Sequence, residues 1–352
     1  MLAATVSAMS ELYPLLLKPE FRERIWGARD LSPLYGEVPG EAPIGEVWLT
    51  GDECQVANGA LAGTSLGELC RRYGRELVGE TARETERFPL LVKFIFPREK
   101  LSVQVHPDDH QAQRAGLPCG KTECWYVLKA EPGSQVALGL KPGTTREEFA
   151  RAVQEVRAEQ LLNWVDIHAG EMIYVDAGTV HAIAPGVILL ETQQNSDTTY
   201  RLYDYGRPRE LHVVQGLQAL KERTRAGKVE AQGEDDFSIL VGSPCFMVEK
   251  RRLKNENKTS DGWEFSRSSD ERFSWRSVEI LVALDGYGVI DAPGCGPLGF
   301  GRGDAVVIPA GLDDFHVRAQ WELEMLTIVL PPKDSQVEPR IRDSVSVGQK
   351  KQ

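Results

Sequence analysis

A chain of 352 residues, 41% hydrophobic and 26% charged, has the material for two domains or one large β-rich body around a buried core. Its formal net charge of −11 argues against non-specific binding to nucleic acid or to an anionic membrane surface, yet leaves room for a local basic pocket that takes a small anion. No apolar run approaches the ~20 residues needed to span a bilayer. The opening MLAATVSAMSELYPLLLKP also lacks the basic start of a signal peptide, so a cytoplasmic protein is expected.

Along the chain, the first helix is predicted over 65–79 (SLGELCRRYGRELVG). Short β-rich runs follow: FPLLVKFIF, LSVQVH, CWYVLKA and SQVALGL. A second helix, 144–156, opens with threonines ahead of paired glutamates, the pattern of a capping box. After EMIYVDA and VILLETQQ comes a third helix over 210–223. The stretch 224–272 is polar and punctuated and reads as a connection with loops that open a second barrel. SVEILVALDGYGVID and DAVVIPA supply later strands, and the tail 333–352 has too little apolar content to pack, so disorder is expected there. Strands at this spacing, separated by Gly, Pro and Asp turns, predict an antiparallel sandwich or barrel. The six cysteines (Cys54, Cys70, Cys119, Cys124, Cys245 and Cys295) are scattered and form no CxxC, which suits reduced thiols.

Two stretches resemble each other. AGEMIYVDAGTVHAI (169–183) and RGDAVVIPAGLDDFHVR (302–318) both run Gly-acid, apolar strand, Ala-Gly turn, then a His. That repeat is the signature of a double-stranded β-helix present twice. The fold class is therefore mainly β: two cupin jelly-roll barrels with a few peripheral helices. The first barrel is expected over 12–223, the second over 237–332, and the polar tail over 333–352.

Within the first repeat lies a candidate metal site. In LSVQVHPDD, Gln104 and His106 stand at i and i+2 of a strand and so share a face. Glu123 opens a strand seventeen residues after His106, and His181 follows a Gly turn. Singly, each has an ordinary reading as a satisfied polar group, and glutamine is an uncommon ligand. Jointly, two imidazoles, a carboxylate and an amide oxygen suit Zn²⁺ best, with Fe²⁺, Co²⁺ and Mn²⁺ also compatible. Cys119 and Cys124 flank Glu123 and keep thiolate ligation as a minor option. His110 is expected near solvent on a short helix, while His168 and His212 have no partner pattern. The second copy has no QxH, and His316 follows Gly311 by five residues where His181 follows Gly178 by three, so no metal is expected there.

With these residues assembled, the chain resembles the type I mannose-6-phosphate isomerases in their short bacterial form. The matching stretches are LLLKPEFRERIWGARDL, IGEVWLTG, PLLVKFIFPREKLSVQVHPDD, GKTECWYVL, AGTVHAI and LLETQQNSDTTYRLYDYGR, which together span roughly residues 13 to 217 in order. The resemblance implies one zinc per chain on Gln104, His106, Glu123 and His181. It further implies a sugar-phosphate site drawing on Ser102, Lys93, Lys121 and Arg201, with Trp26, Glu46, Glu191 and Asp197 at motif positions around it. WGARD in place of Trp-Gly-Gly, Asp176 in place of a turn proline, and KTE in place of Lys-Pro-Glu depart from the family pattern, each in a turn.

Aldose–ketose isomerisation through an enediol(ate) needs a stabilised oxyanion, a base and a held phosphate. Arg201 can clamp the phosphate or sit against the enediolate; its ordinary alternative is an ion pair with an acid such as Asp204. Glu191 is the first choice for the base, Lys121 and Lys93 are rivals, and Asp197 can orient whichever acts. Arg201, Glu191 and Lys121 are thus the expected catalytic set. The competing readings are an Fe²⁺ cupin oxygenase, a non-catalytic sugar-phosphate sensor and a storage protein. The expected partner is a small sugar phosphate, without nucleic acid or membrane; the sequence leaves the oligomeric state open, a monomer being compatible with it.

Overall fold

In a computed structural model, residues 11–38, 40–254, 264–266, 275–332 and 337–342 are described. Their strands form three antiparallel sheets. The first has seven strands in the order Gly227–Lys228, Met172–Val175, Glu123–Ala130, Val187–Gln194, Leu90–Ile95, Ile44–Trp48 and Glu20–Ala28. The second has five: Tyr200–Tyr203, Val103–Val105, His181–Ile183, Gln135–Leu140 and Leu162–Asp166. The third, of nine strands, is built on Glu279–Asp291, His316–Val329 and Met247–Lys254. Among the described residues no helix is long and apolar enough to cross a membrane.

The period-two alternation of strand side chains explains how the layers stack. On Glu123–Ala130, Trp125 and Val127 face the five-stranded sheet, where they meet Leu101, Val136 and Ile183. Cys124 and Tyr126 face the other way, into a core shared with Leu240 and Ile280 of the nine-stranded sheet and with Phe246 and Val278 beside its strands. The seven-stranded sheet is therefore covered on both faces, which is why Leu90–Ile95 and Val187–Gln194 are buried along their whole length, polar side chains included. Behind the five-stranded sheet, the helices Arg146–Gln154 and Val213–Ala219 bury Phe149, Val153 and Ala219 against Val103, Val105 and Leu202.

The predicted helices form with shorter limits. The first runs Leu66–Tyr73 from a Ser65 cap and breaks at Gly74, whose φ of +52° interrupts it before Arg75–Val78. The second has the expected capping box between Thr145 and Glu148. The third is confined to Val213–Ala219, because the backbone N–H of His212 is drawn to the Arg201 carbonyl at 2.7 Å.

Within 224–272 the chain forms strands Phe237–Gly242 and Met247–Lys254, not only loops; residues 255–263 and 267–274 lie outside the described residues. MVEKRRLK conceals its strand because two of its inward charges, Glu249 and Arg251, pair at 2.7 Å while buried. In the tail, residues 337–342 pack on the body: Ile341 bridges Val229, and the Glu230 N–H donates to the Arg340 carbonyl. The remaining tail residues lie outside the described ones. At the other end, Leu15–Leu16 pairs with Ala305–Ile308, so the first described strand belongs to the sheet of the second barrel.

The repeat extends to register. Glu123 lies opposite Val175 as Glu279 lies opposite Ile308, and Lys93 lies opposite Glu191 as Glu249 lies opposite Thr327. His316 stands 3.4 Å from Asp314.

Candidate metal centre and adjoining cavity

The five-stranded sheet presents Gln104 between His181 and Arg201, its antiparallel neighbours in register. From the facing sheet come Glu123, Glu191, Lys93 and Glu46, all buried on the inner side of adjacent strands. Two tight contacts hold the histidine loops together. The Gly178 N–H donates to the His106 carbonyl, and a Cβ at Gly178, with φ +92°, would come within 2.6 Å of the Lys221 stem. The Lys121 N–H donates to the Pro107 carbonyl at 3.0 Å, while Gly120 touches the backbone of Asp108 and Asp109 where no side chain would fit.

His106, Glu123 and His181 offer ligand atoms that all lie within 4.8 Å of one another, and all three are buried. Nδ1 of His106 donates to the Thr198 carbonyl at 2.8 Å, and Nδ1 of His181 to the Thr179 carbonyl at 2.9 Å. Both Nε2 lone pairs are thereby left facing the carboxylate, the tautomer a metal requires. Burial, followed by Lys121, pushes the His106 pKa down, and burial does the same at His181, so both rings are neutral. Burial raises the Glu123 carboxyl, but Lys121 and His181 outweigh it and leave the pKa below the usual carboxylate range. A cation already sits at this group: the Lys121 ammonium is 2.8 Å from Glu123 and 3.1 Å from His106 Nε2. The N₂O donor set therefore fits a borderline divalent ion. Gln104 is beside it, with Nε2 donating to His181 Nε2 at 3.1 Å; a half-turn of the amide exchanges this nitrogen for the oxygen.

The centre forms one side of a cavity of about 600 Å³. Trp26, Glu46, Lys93, Ser102, Lys121 and Glu191 line it together with Gln104, and Arg201 and Asp197 complete the wall. The twelve residues singled out in the sequence thus meet at one place, nine on the cavity and three on the metal group. Cys124 does not join them. Next to Glu123 in a strand, it points to the opposite face, and Cys119 lies off the site with its thiol near the Asn195 carbonyl. His110 and His168 are exposed, as expected for His110.

The cavity wall is an alternating row of charges. Arg24 meets Glu46 at 2.6 Å, Glu46 meets Lys93 at 3.2 Å, and Lys93 meets Glu191 at 3.3 Å. Lys121 then stands 3.5 Å from Glu191 and 2.8 Å from Glu123. Burial works to raise the Glu46 carboxyl, but Lys93 and Arg24 bring it down to about 2. Burial opposes the Lys93 charge, yet Glu191 and Glu46 hold its pKa above the usual range. Glu191 goes the other way: burial and the neighbouring Glu123 raise its pKa despite both lysines.

The ordinary alternative for Arg201 is not what forms. Asp204 is engaged by Arg207 at 2.7 Å and by Arg209 through two bonds of 2.6 Å. Arg201 instead donates through Nη1 to the Glu210 carbonyl at 2.9 Å, and its buried Nε has no hydrogen-bond partner among the described residues. Burial and then Arg209 lower its pKa, the mark of a guanidinium short of anions. Arg24, Arg209 and His212 also line the cavity and were not selected from the sequence. Only Arg24 had a signal available, since it stands two residues before Trp26 and shares its face.

The fold and the site have relatives. Residues 15–136 match the family described as phosphomannose isomerase type I, catalytic domain. The chain is 34% identical over 325 residues to mannose-6-phosphate isomerase ManA of Bacillus subtilis, covering 88% of this chain and 97% of that one. It is similar to the crystal structure of the Bacillus subtilis mannose 6-phosphate isomerase, with a TM-score of 0.77 at 30% identity over 90% of this chain and 99% of that one. The fold is also shared with a zinc-bound mannose 6-phosphate isomerase, at a TM-score of 0.69 and 16% identity over 89% of this chain and 98% of that one.

Proposed function

Because the chain belongs to the type I phosphomannose isomerase family, we propose that it is a cytoplasmic enzyme interconverting mannose 6-phosphate and fructose 6-phosphate, with one zinc ion on His106, Glu123, His181 and the Gln104 amide. The observation that carries this reading is the convergence of two neutral imidazoles and a carboxylate beside a cavity walled by Lys93, Lys121 and Arg201. That cationic lining matches an anionic substrate such as a sugar phosphate.

When bound, zinc supplies positive charge for the oxyanion that develops as the proton leaves carbon. The protein's own groups do the rest. Glu191 takes the proton from C2 and returns it at C1, while the O2 hydroxyl proton passes to O1, so that C2 becomes the ketone and the aldehyde becomes a primary alcohol. Burial and the proximity of Glu123 raise the Glu191 pKa above the usual carboxylate range, which makes the carboxylate a stronger base. Lys93 and Lys121, on either side of it, fix its orientation and carry charge for the enediolate. Arg201, on the facing sheet with Arg209 near it, holds the phosphate, so that the two ends of an extended sugar are gripped from opposite sheets. Trp26 forms an apolar part of the wall, and Ser102 and Asp197 offer hydrogen bonds to hydroxyls.

Chelation followed by reloading with one equivalent of zinc tests the metal. Formation of fructose 6-phosphate should disappear and return, and activity indifferent to chelation would overturn this part. Glu191→Gln that still holds its metal should lose exchange of the C2 proton, and near-normal exchange would remove Glu191 as the base.

A further inference from the structure

We propose that Arg24 is a positioning residue for the isomerisation, acting through Glu46 and Lys93 to set Glu191; this rests on the function proposed above. Arg24 belongs to Glu20–Ala28, the edge strand of the seven-stranded sheet, where an arginine would ordinarily reach into solvent. Here it turns inward over the neighbouring strand. A Cβ at Gly45 would lie 2.5 Å from Arg24 Cβ, 2.7 Å from its Cγ and 2.7 Å from the Trp26 ring. Glycine at 45 is thus the condition for Arg24 and Trp26 to cross that strand side by side into the cavity wall.

The guanidinium then commits Glu46. Nη2 of Arg24 takes Oε2 at 2.6 Å, assisted by the Trp48 indole N–H at 3.1 Å, which leaves Oε1 for Lys93 at 3.2 Å. Lys93 is shared almost evenly between two carboxylates, since Glu191 is 3.3 Å away on its other side. Its balance depends on how much of the Glu46 charge is already neutralised. Without Arg24, Glu46 draws the ammonium toward itself, and Glu191 loses the contact that aims it into the cavity. Arg24 lines the cavity, but its guanidinium is committed to Glu46, so its loss acts on turnover rather than on substrate binding.

The test is a kinetic cycle on the zinc-loaded enzyme using Arg24→Gln, Arg24→Lys, Glu46→Gln and the Arg24→Gln/Glu46→Gln pair, with thermal midpoints measured alongside. Arg24→Gln should lower kcat about 30-fold while KM stays within about 3-fold, an effect typical of residues coupled in one network. Arg24→Lys should recover most of the rate, because an ammonium can also take Oε2. In the Glu46→Gln background, Arg24→Gln should add less than a twofold loss. Three results would overturn the inference: an Arg24→Gln kcat within threefold of wild type, a rise in KM with kcat unchanged, or additive losses that follow the thermal midpoint. Wild-type enzyme without isomerase activity would remove the function itself, and the inference with it.

Discussion

Replacing Lys93 by methionine keeps the stem and removes the charge that separates two buried carboxylates. Lys93 is 4% exposed and lies 3.2 Å from Glu46 and 3.3 Å from Glu191. At an effective dielectric of ~20, each contact corresponds to about 5 kcal/mol of Coulomb energy, offset by desolvation. Removing one partner of such a group costs about 3–5 kcal/mol. Glu46 keeps Arg24 at 2.6 Å, so the burden falls on Glu191, left with Lys121 at 3.5 Å. The expected loss in the metal-free protein is about 3 kcal/mol at pH 8, read from urea unfolding with the slope unchanged. The pH dependence has a definite sign. Glu191 already has a raised pKa, and the substitution raises it further. The folded state then holds a proton that the unfolded state releases, and stability falls as pH rises from the ordinary carboxylate range toward that pKa. The penalty should therefore shrink toward pH 5. A loss below about 1 kcal/mol, or one larger at pH 5 than at pH 8, would mean that Lys93 does not hold the Glu191 charge in the folded state.

Glu46 contributes in the opposite direction. Its carboxyl is lowered to about 2, so its stabilisation is present above the ordinary carboxylate pKa and is lost as pH falls to 2. Acid unfolding of Glu46→Gln should lack on the order of 3 kcal/mol of this dependence, and parallel acid curves for variant and wild type would contradict it. Metal analysis should find zinc retained by Cys124→Ala but lost from His106→Ala and His181→Ala; zinc loss from the cysteine variant would revive thiolate ligation. Ile341→Ala should destabilise the protein by about 1 kcal/mol, since this half-buried side chain fills the space against Gly227, and an unchanged urea midpoint would argue against a packed tail segment.

The parts of this molecule legible in the sequence are those governed by strand periodicity and turn chemistry. Gln104 and His106 share a face because a strand alternates, and His181 follows a glycine turn that only glycine can make against Lys221. The cupin repeat could be read from two strand–turn–His stretches, and its continuation in register to Glu249 and Glu279 could not, because long-range pairing has no local signal. Met247–Lys254 was hidden for another reason. Hydropathy treats Glu249 and Arg251 as surface residues, whereas their mutual ion pair lets both be buried. Arg201 could be found, but its partner could not: Asp204, three residues away, is taken by Arg207 and Arg209. Arg209 and His212 reach the cavity only because the chain folds back after Tyr200–Tyr203, a turn no periodic pattern marks.

The direct test of isomerisation is proton NMR of mannose 6-phosphate with the zinc-loaded protein in D₂O. Fructose 6-phosphate should appear, and the C2 proton of recovered substrate should be transferred or washed out. Bound zinc with neither product nor exchange would contradict isomerisation through an enediol.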